Sequence, residues 1–224
     1  MPRDRRDSTP PDLAPLIDHA LLDPRQGLEA VERCCSEALH YGFAGVCLAS
    51  RWMPQARALL GDRGATRLVS VVGFPFGAVA APIKRAEAEW ATENGADELD
   101  VVPDFALLID GQLTELHDEL AAIVELGVPV KLILEAAQLE EQALQNLVEV
   151  ALDAGVAFLK TGSGYGPAVQ VSLVEKLNNL AGGRCKIKAS GGIRTLDQAL
   201  ELVWAGAERL GTSHGVALVQ AQRL

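Results

Sequence analysis

Short runs of Val, Leu and Ile alternate with longer amphipathic stretches along the chain. The short runs are Leu16–Leu22, Phe43–Ala49, Arg67–Val72, Glu98–Val102, Val130–Leu134, Ala157–Thr161, Cys185–Ala189 and Arg209–Gly211. Most end at Gly, Ser or Pro, the pattern of parallel strands buried on both faces. The windows between them, among them Leu28–His40, Ile83–Asn94, Thr114–Leu126 and Leu139–Ala154, read as helices. In the last of these Leu144, Leu147, Val148 and Ala151 recur at helical spacing and mark a core-facing side.

Similar phrases close several helical windows: Gly42-Phe43-Ala44, Asn94-Gly95-Ala96, Ala154-Gly155-Val156 and Ala205-Gly206-Ala207. Each puts glycine where a helix turns into the next strand. Roughly eight such βα units make a single (β/α)8 TIM barrel the expected fold. An open doubly wound sheet would want a Gly-rich loop after its first strand, and Leu22-Asp23-Pro24 is not one. Residues 13–224 are read as the barrel, and residues 1–12, rich in Arg, Asp and Pro, as a disordered N-terminal tail.

Composition narrows the function. The chain has 224 residues, 49% of them hydrophobic, which suits one domain with a large core. Its net charge of −10 makes nucleic acid an unfavourable partner. The most apolar window, Leu68–Ile83, is broken by Gly73, Pro75, Gly77 and Pro82, so no membrane span is expected. The four cysteines form no CxxC pair and the histidines are scattered, which predicts reduced thiols, no metal site and a cytoplasmic protein.

In barrels of this class the reacting groups project from the C-terminal ends of the strands. That selects Asp18, Cys47, Asp100, Glu135, Lys160 and Lys188. Two lysines at the ends of neighbouring strands are unusual, because lysine is rarely buried unless paired. Burial and a neighbouring ammonium both penalise a charged amine, and a neutral amine attacks carbonyls to give a carbinolamine and then an imine. Asp100 is placed to shuttle protons, directly or through one water. Ala189-Ser190-Gly191-Gly192-Ile193-Arg194 and Gly211-Thr212-Ser213-His214-Gly215 follow strands seven and eight, where such barrels commonly hold phosphate. Gly162-Ser163-Gly164-Tyr165-Gly166 is placed to close over the same ligand. Parity puts Lys186 on the same strand face as Lys188, where Glu98 is one candidate partner and an outward turn the alternative.

At these residues the chain resembles the deoxyribose-phosphate aldolases. The matching phrases are Ile17-Asp18-His19, Gly73-Phe74-Pro75, Asn94-Gly95-Ala96-Asp97-Glu98-Leu99-Asp100, Lys160-Thr161, Lys188-Ala189-Ser190-Gly191-Gly192-Ile193-Arg194-Thr195 and Gly211-Thr212-Ser213. The resemblance implies a class I aldolase that reversibly cleaves 2-deoxy-D-ribose 5-phosphate to D-glyceraldehyde 3-phosphate and acetaldehyde, without metal or cofactor. It puts the Schiff-base lysine at Lys160, the activating lysine at Lys188 and the proton-relaying aspartate at Asp100. Substrate and phosphate contacts are expected from Asp18, Gly162, Ser163, Gly191, Gly192, Ser213 and His214. The chain departs from the family phrases at Ala20, Gly162, His214 and Pro103-Asp104-Phe105. A related lyase with another aldehyde preference and a non-catalytic sugar-phosphate-binding barrel stay open as alternatives. A homodimer is an assembly such barrels often form.

Overall fold

The computed structural model describes residues 10–224. Residues 1–9 of the expected tail lie outside the described residues, while Pro11 and Asp12 accept hydrogen bonds from Gln222 and Ala14. Eight parallel strands, β1 (Ile17–Leu21), β2 (Gly45–Ala49), β3 (Arg67–Val72), β4 (Glu98–Val101), β5 (Val130–Ile133), β6 (Phe158–Lys160), β7 (Lys186–Ser190) and β8 (Arg209–Thr212), pair in chain order. Pairing of Ile17, Asp18 and His19 with Leu210, Gly211 and Thr212 closes the barrel.

Around it run α1 (Leu28–Tyr41), α2 (Met53–Leu60), α3 (Ala81–Glu93), α4 (Phe105–Ile109), α5 (Leu113–Val124), α6 (Glu141–Asp153), α7 (Val171–Ala181), α8 (Leu196–Trp204) and α9 (Gly215–Gln222). Their ends follow from sequence. Pro54 and Pro82 sit in first turns, where no amide hydrogen is needed. Thr195 and Gln198 form a capping box on α8, satisfying two amide donors that would otherwise be unpaired. Gly42 and Gly182 end α1 and α7 in the left-handed conformation, as the sequence pattern predicts for Gly42.

The main apolar core lies between barrel and helices. Outward strand residues such as Val46, Leu68, Leu99, Leu132, Leu159 and Leu210 are fully buried there. Burying one such side chain contributes about 1.5–3 kcal/mol. Inside the barrel the two sides differ: Cys47, Val69 and Val71 form a small apolar cluster toward β2 and β3, whereas the opposite side is charged.

A second polar feature fixes the loops above the barrel. Lys84 on α3 donates to Glu119 on α5 at 2.8 Å, with both side chains essentially inaccessible. The same Glu119 oxygen accepts the backbone N–H of Asp104, which follows β4. The β3 loop packs so closely on this segment that a Cβ at Gly77 would lie 2.0 Å from the Pro103 carbonyl oxygen. Breaking a buried pair leaves one charge without compensation, so Lys84→Met should cost about 3–5 kcal/mol, and Lys84→Met/Glu119→Leu should recover most of it. Urea unfolding of the single and double variants measures both; a neutral single variant would contradict the pair's role.

Candidate active site

Seven charged side chains meet inside the barrel because they share the inward parity of their strands. The ladders set Asp100 beside Lys131 and Lys160 beside Lys188. Lys160 and Lys188 each reach Asp100 Oδ2 at 2.7 Å, so one carboxylate oxygen serves both amines. Lys131 binds the other oxygen at 2.9 Å and Glu98 at 2.6 Å. Lys188 also donates to Asp18 Oδ2 at 2.5 Å, and Arg209 to Asp18 Oδ1 at 2.6 Å and Glu98 at 3.3 Å. Glycine at 211 leaves room for this: a Cβ there would lie 3.1 Å from Lys188 Cε.

The carboxylates stay ionised although burial opposes it. Burial pushes Asp18 up, but Lys188, Lys131 and Arg209 together pull it down to about 2. Burial also opposes the charge on Asp100, and Lys131, Lys160 and Lys188 overcome it, holding the carboxyl well below its usual range. Burial would lower Lys188, yet Asp100 and Asp18 raise it above the ordinary lysine range, so it rests as an ammonium. Burial pushes the Cys47 thiol up to about 11, which keeps it protonated beside Asp100 Oδ2, 3.8 Å away.

Above this network a cavity of about 600 Å³ opens at the C-terminal ends of the strands. Lys160 and Lys188 reach its floor; Ser163, Gly191, Gly192, Ser213 and His214 line its sides, as does Arg194. The β6–α7 loop is held down by Glu135, which adopts left-handed backbone at φ 45°. Its carboxylate accepts the N–H of Ser163 at 2.6 Å and the Gln138 amide at 3.0 Å. Ser190 donates to the Gly162 carbonyl, fastening the same loop to β7.

No family model matches the chain. Relatives do. It is 45% identical over 212 residues to a deoxyribose-phosphate aldolase of Crocosphaera subtropica, covering 94% of this chain and 96% of that one. It is 49% identical to a protein of the same name from a Cyanothece species, covering 93% and 92% of the two chains. The solved tetrameric deoxyribose phosphate aldolase of Aeropyrum pernix superposes with a TM-score of 0.86 at 35% identity, covering 94% of this chain and 91% of that one.

The chain belongs to the deoxyribose-phosphate aldolase family.

Within this deoxyribose-phosphate aldolase fold, the residues expected at the site divide into two layers. Lys160, Lys188, Ser163, Gly191, Gly192, Ser213 and His214 reach the cavity. Asp18 does not: it is fully buried beneath Lys188, with its oxygens taken by Lys188 and Arg209, so the expected substrate contact becomes a support for the lysine. Asp100 likewise lies below the amines with no exposed surface. Gly162 contributes a loop carbonyl tied to Ser190 rather than a cavity wall. The main-chain N–H of His214 donates to the Thr212 hydroxyl, and its ring lies 3.2 Å from the Ser213 hydroxyl.

Lys186 takes neither expected arrangement: it keeps the inward parity without pairing with Glu98. It sits at the open N-terminal end of β7, exposed, 3.7 Å from Glu208, because it begins the strand below the packed layers. Glu98 pairs with Lys131 and Arg209 instead. Neither cation is among the residues that the strand-end rule selects. The signal was there: Lys131 interrupts the apolar run Val130–Leu134 just as Lys160 interrupts its own.

Stability that depends on ionised Asp18 is present above its ordinary value of 3.8 and is lost as pH falls toward about 2. Asp18→Asn should therefore destabilise the protein by about 3 kcal/mol near neutrality, leaving buried cations without their partner. The gap to the unaltered protein should narrow as pH falls from 3.8 toward about 2. Denaturant midpoints across that range test it; a gap independent of pH would contradict the assignment.

Proposed function

We propose that the protein cleaves 2-deoxy-D-ribose 5-phosphate to D-glyceraldehyde 3-phosphate and acetaldehyde, and runs the reverse addition, through an imine on Lys160. The reading is carried by the unequal pairing of the barrel lysines. Lys188 has two carboxylates, Asp18 and Asp100, and Lys131 has Asp100 and Glu98. Lys160 has one carboxylate oxygen, which it shares with Lys188. Among the described residues four cations, Lys131, Lys160, Lys188 and Arg209, thus face three carboxylates, Asp18, Glu98 and Asp100. Lys160 is thus the least compensated of the three amines.

A neutral Lys160 donates one N–H to Asp100 and turns its lone pair to the cavity. The lone pair attacks C1 of the open-chain sugar, and the carbinolamine loses water to form an iminium. Breaking the C2–C3 bond sends its electron pair into the iminium as an enamine while the C3 hydroxyl gives up its proton and becomes the aldehyde of the released fragment. Protonation at C2 and hydrolysis then free acetaldehyde and restore the amine. Asp100, lying beneath both amines, orients them and hands protons between them. Protons reach the substrate from the Lys188 ammonium or through one water.

Phosphate recognition rests on the Gly191-Gly192 turn, Ser213, the His214 ring and Arg194 around the cavity. A guanidinium pairs with phosphate oxygens through two parallel donors. The proposed partners are therefore a small phosphorylated sugar and acetaldehyde. A homodimer is the proposed assembly, supported by exposed Ile83 and Trp90 on α3. The cytoplasm is the proposed location, supported by four unpaired cysteines; no helix among the described residues is long and apolar enough to cross a membrane.

Borohydride reduction in the presence of acetaldehyde, followed by peptide mass mapping, should leave an ethyl group on Lys160. An adduct on Lys188, or none, would contradict the proposal. Removing the substrate phosphate should lower kcat/KM by about a hundredfold, the worth of one or two charge-assisted hydrogen bonds. Lys188→Met should slow trapping by about tenfold or more near neutrality and by less at about pH 9, where a neutral amine needs less help from a neighbouring cation. Equal losses at both pH values would remove that role for Lys188.

A further inference from the structure

Tyr165 is held differently from its neighbours on the β6–α7 loop. Its backbone is fixed, because its N–H donates to the Ser163 hydroxyl at 3.1 Å and Ser163 is itself held by Glu135. Its ring leaves the loop and crosses the barrel mouth to the opposite side. There it meets Phe74 of the β3 loop edge-on, with ring centroids 5.7 Å apart. Its hydroxyl approaches the Leu22 carbonyl of the β1 loop at 3.4 Å. That bond is long for a hydroxyl donor, and more than half of the residue is exposed. The ring is thus a bar across the mouth, fixed at one end and lightly latched at the other.

On one side of the bar lies the lysine cavity. On the other lies a cleft of about 300 Å³ walled by Phe76, Phe105, Pro75 and Leu139, with Glu135 and Gln138 at its edge. Tyr165 and Ser163 line both spaces, so these two residues are the partition between them. The cleft is walled mostly by apolar side chains and, among the described residues, carries no lysine or arginine, so it does not suit a phosphate. Its volume and apolar lining suit an aryl or branched alkyl group.

Resting on the aldolase reading above, we infer that Tyr165 determines substrate size and polarity by closing this apolar cleft to the carbonyl compound at Lys160. With the ring in place, the accessible space is the polar chamber leading to Gly191, Gly192 and Arg194, which accepts a short phosphorylated aldehyde. Without it, an acceptor aldehyde with an apolar arm extends from the enamine carbon across the mouth and lays that arm between Phe76 and Phe105. Gaining an apolar contact of this kind shifts discrimination by about ten- to a hundredfold.

The test is aldol addition of acetaldehyde to two acceptors, 3-phenylpropanal and D-glyceraldehyde 3-phosphate, read as the ratio of their kcat/KM values. Tyr165→Ala should raise that ratio by about tenfold or more in favour of 3-phenylpropanal, whereas Tyr165→Phe, which keeps the bar, should hold it within about twofold. Adding Phe76→Glu to Tyr165→Ala should abolish the gain, because a carboxylate then occupies the apolar wall. Phe76 is 72% exposed, so the fold tolerates that change. An unchanged ratio in Tyr165→Ala, or a gain that survives Phe76→Glu, overturns the inference. A crystal of the Tyr165→Ala protein with unreactive 3-phenylpropanol reads the cleft without turnover: the phenyl ring should lie between Phe76 and Phe105, and density elsewhere overturns the inference. Borohydride trapping of acetaldehyde by the unaltered protein reports separately on the imine, so failure of the aldolase reading is distinguishable from failure of the partition.

Discussion

The carboxylate of Asp100 organises the interior of this barrel. Three amines from three consecutive strands converge on it, Lys131 on one oxygen and Lys160 and Lys188 on the other. A carboxylate with no exposed surface survives ionised only when its field is compensated, and here the compensation also prepares the chemistry. Two of the amines are tied down by further carboxylates. The third points a nitrogen into the cavity with a single shared acceptor. The asymmetry of partners, more than the presence of lysines, distinguishes Lys160 from Lys188 and Lys131.

Such a network needs a fold that pays for it elsewhere. The apolar layer between strands and helices supplies that stability, and the interior is free to be polar on the side from β4 round to β1. Cys47, Val69 and Val71 keep the opposite wall apolar. Of that apolar wall Cys47 lines the cavity, together with Lys160 and Lys188. Loops fastened by Glu135, Ser190 and the Lys84–Glu119 pair hold the rim in register with that floor.

Much of this was legible in the chain. Strand positions followed from apolar runs because both faces of a parallel strand are buried. The misplaced ends have local causes: Leu16 belongs to a short 3-10 helix, and Phe43 is drawn into the turn after α1 by a bond from its N–H to Ala38. Lys160 and Lys188 stood out because lysine is foreign to a barrel interior. Lys131 and Arg209 carry the same signal, but they lie deeper than the strand ends, where a search for reacting groups does not look. Asp18 was placed on the right strand and in the wrong layer, since parity gives a face and not a depth. The Lys186 side chain shows the same limit in reverse, sharing the inward parity while standing at the open end. No local pattern announces that Tyr165 reaches the β1 and β3 loops, because its contacts span the closed barrel.

The central claim is that Lys160, the barrel amine whose single carboxylate oxygen is shared with Lys188, is the one that bonds to the carbonyl carbon. Crystallography of the protein soaked with 2-deoxy-D-ribose 5-phosphate reads this directly. The account predicts continuous electron density from Lys160 Nζ to C1 of the sugar, with Lys188 and Lys131 still within hydrogen-bond distance of Asp100. Continuous density from Lys188 or Lys131, or a sugar bonded to no lysine, would contradict it.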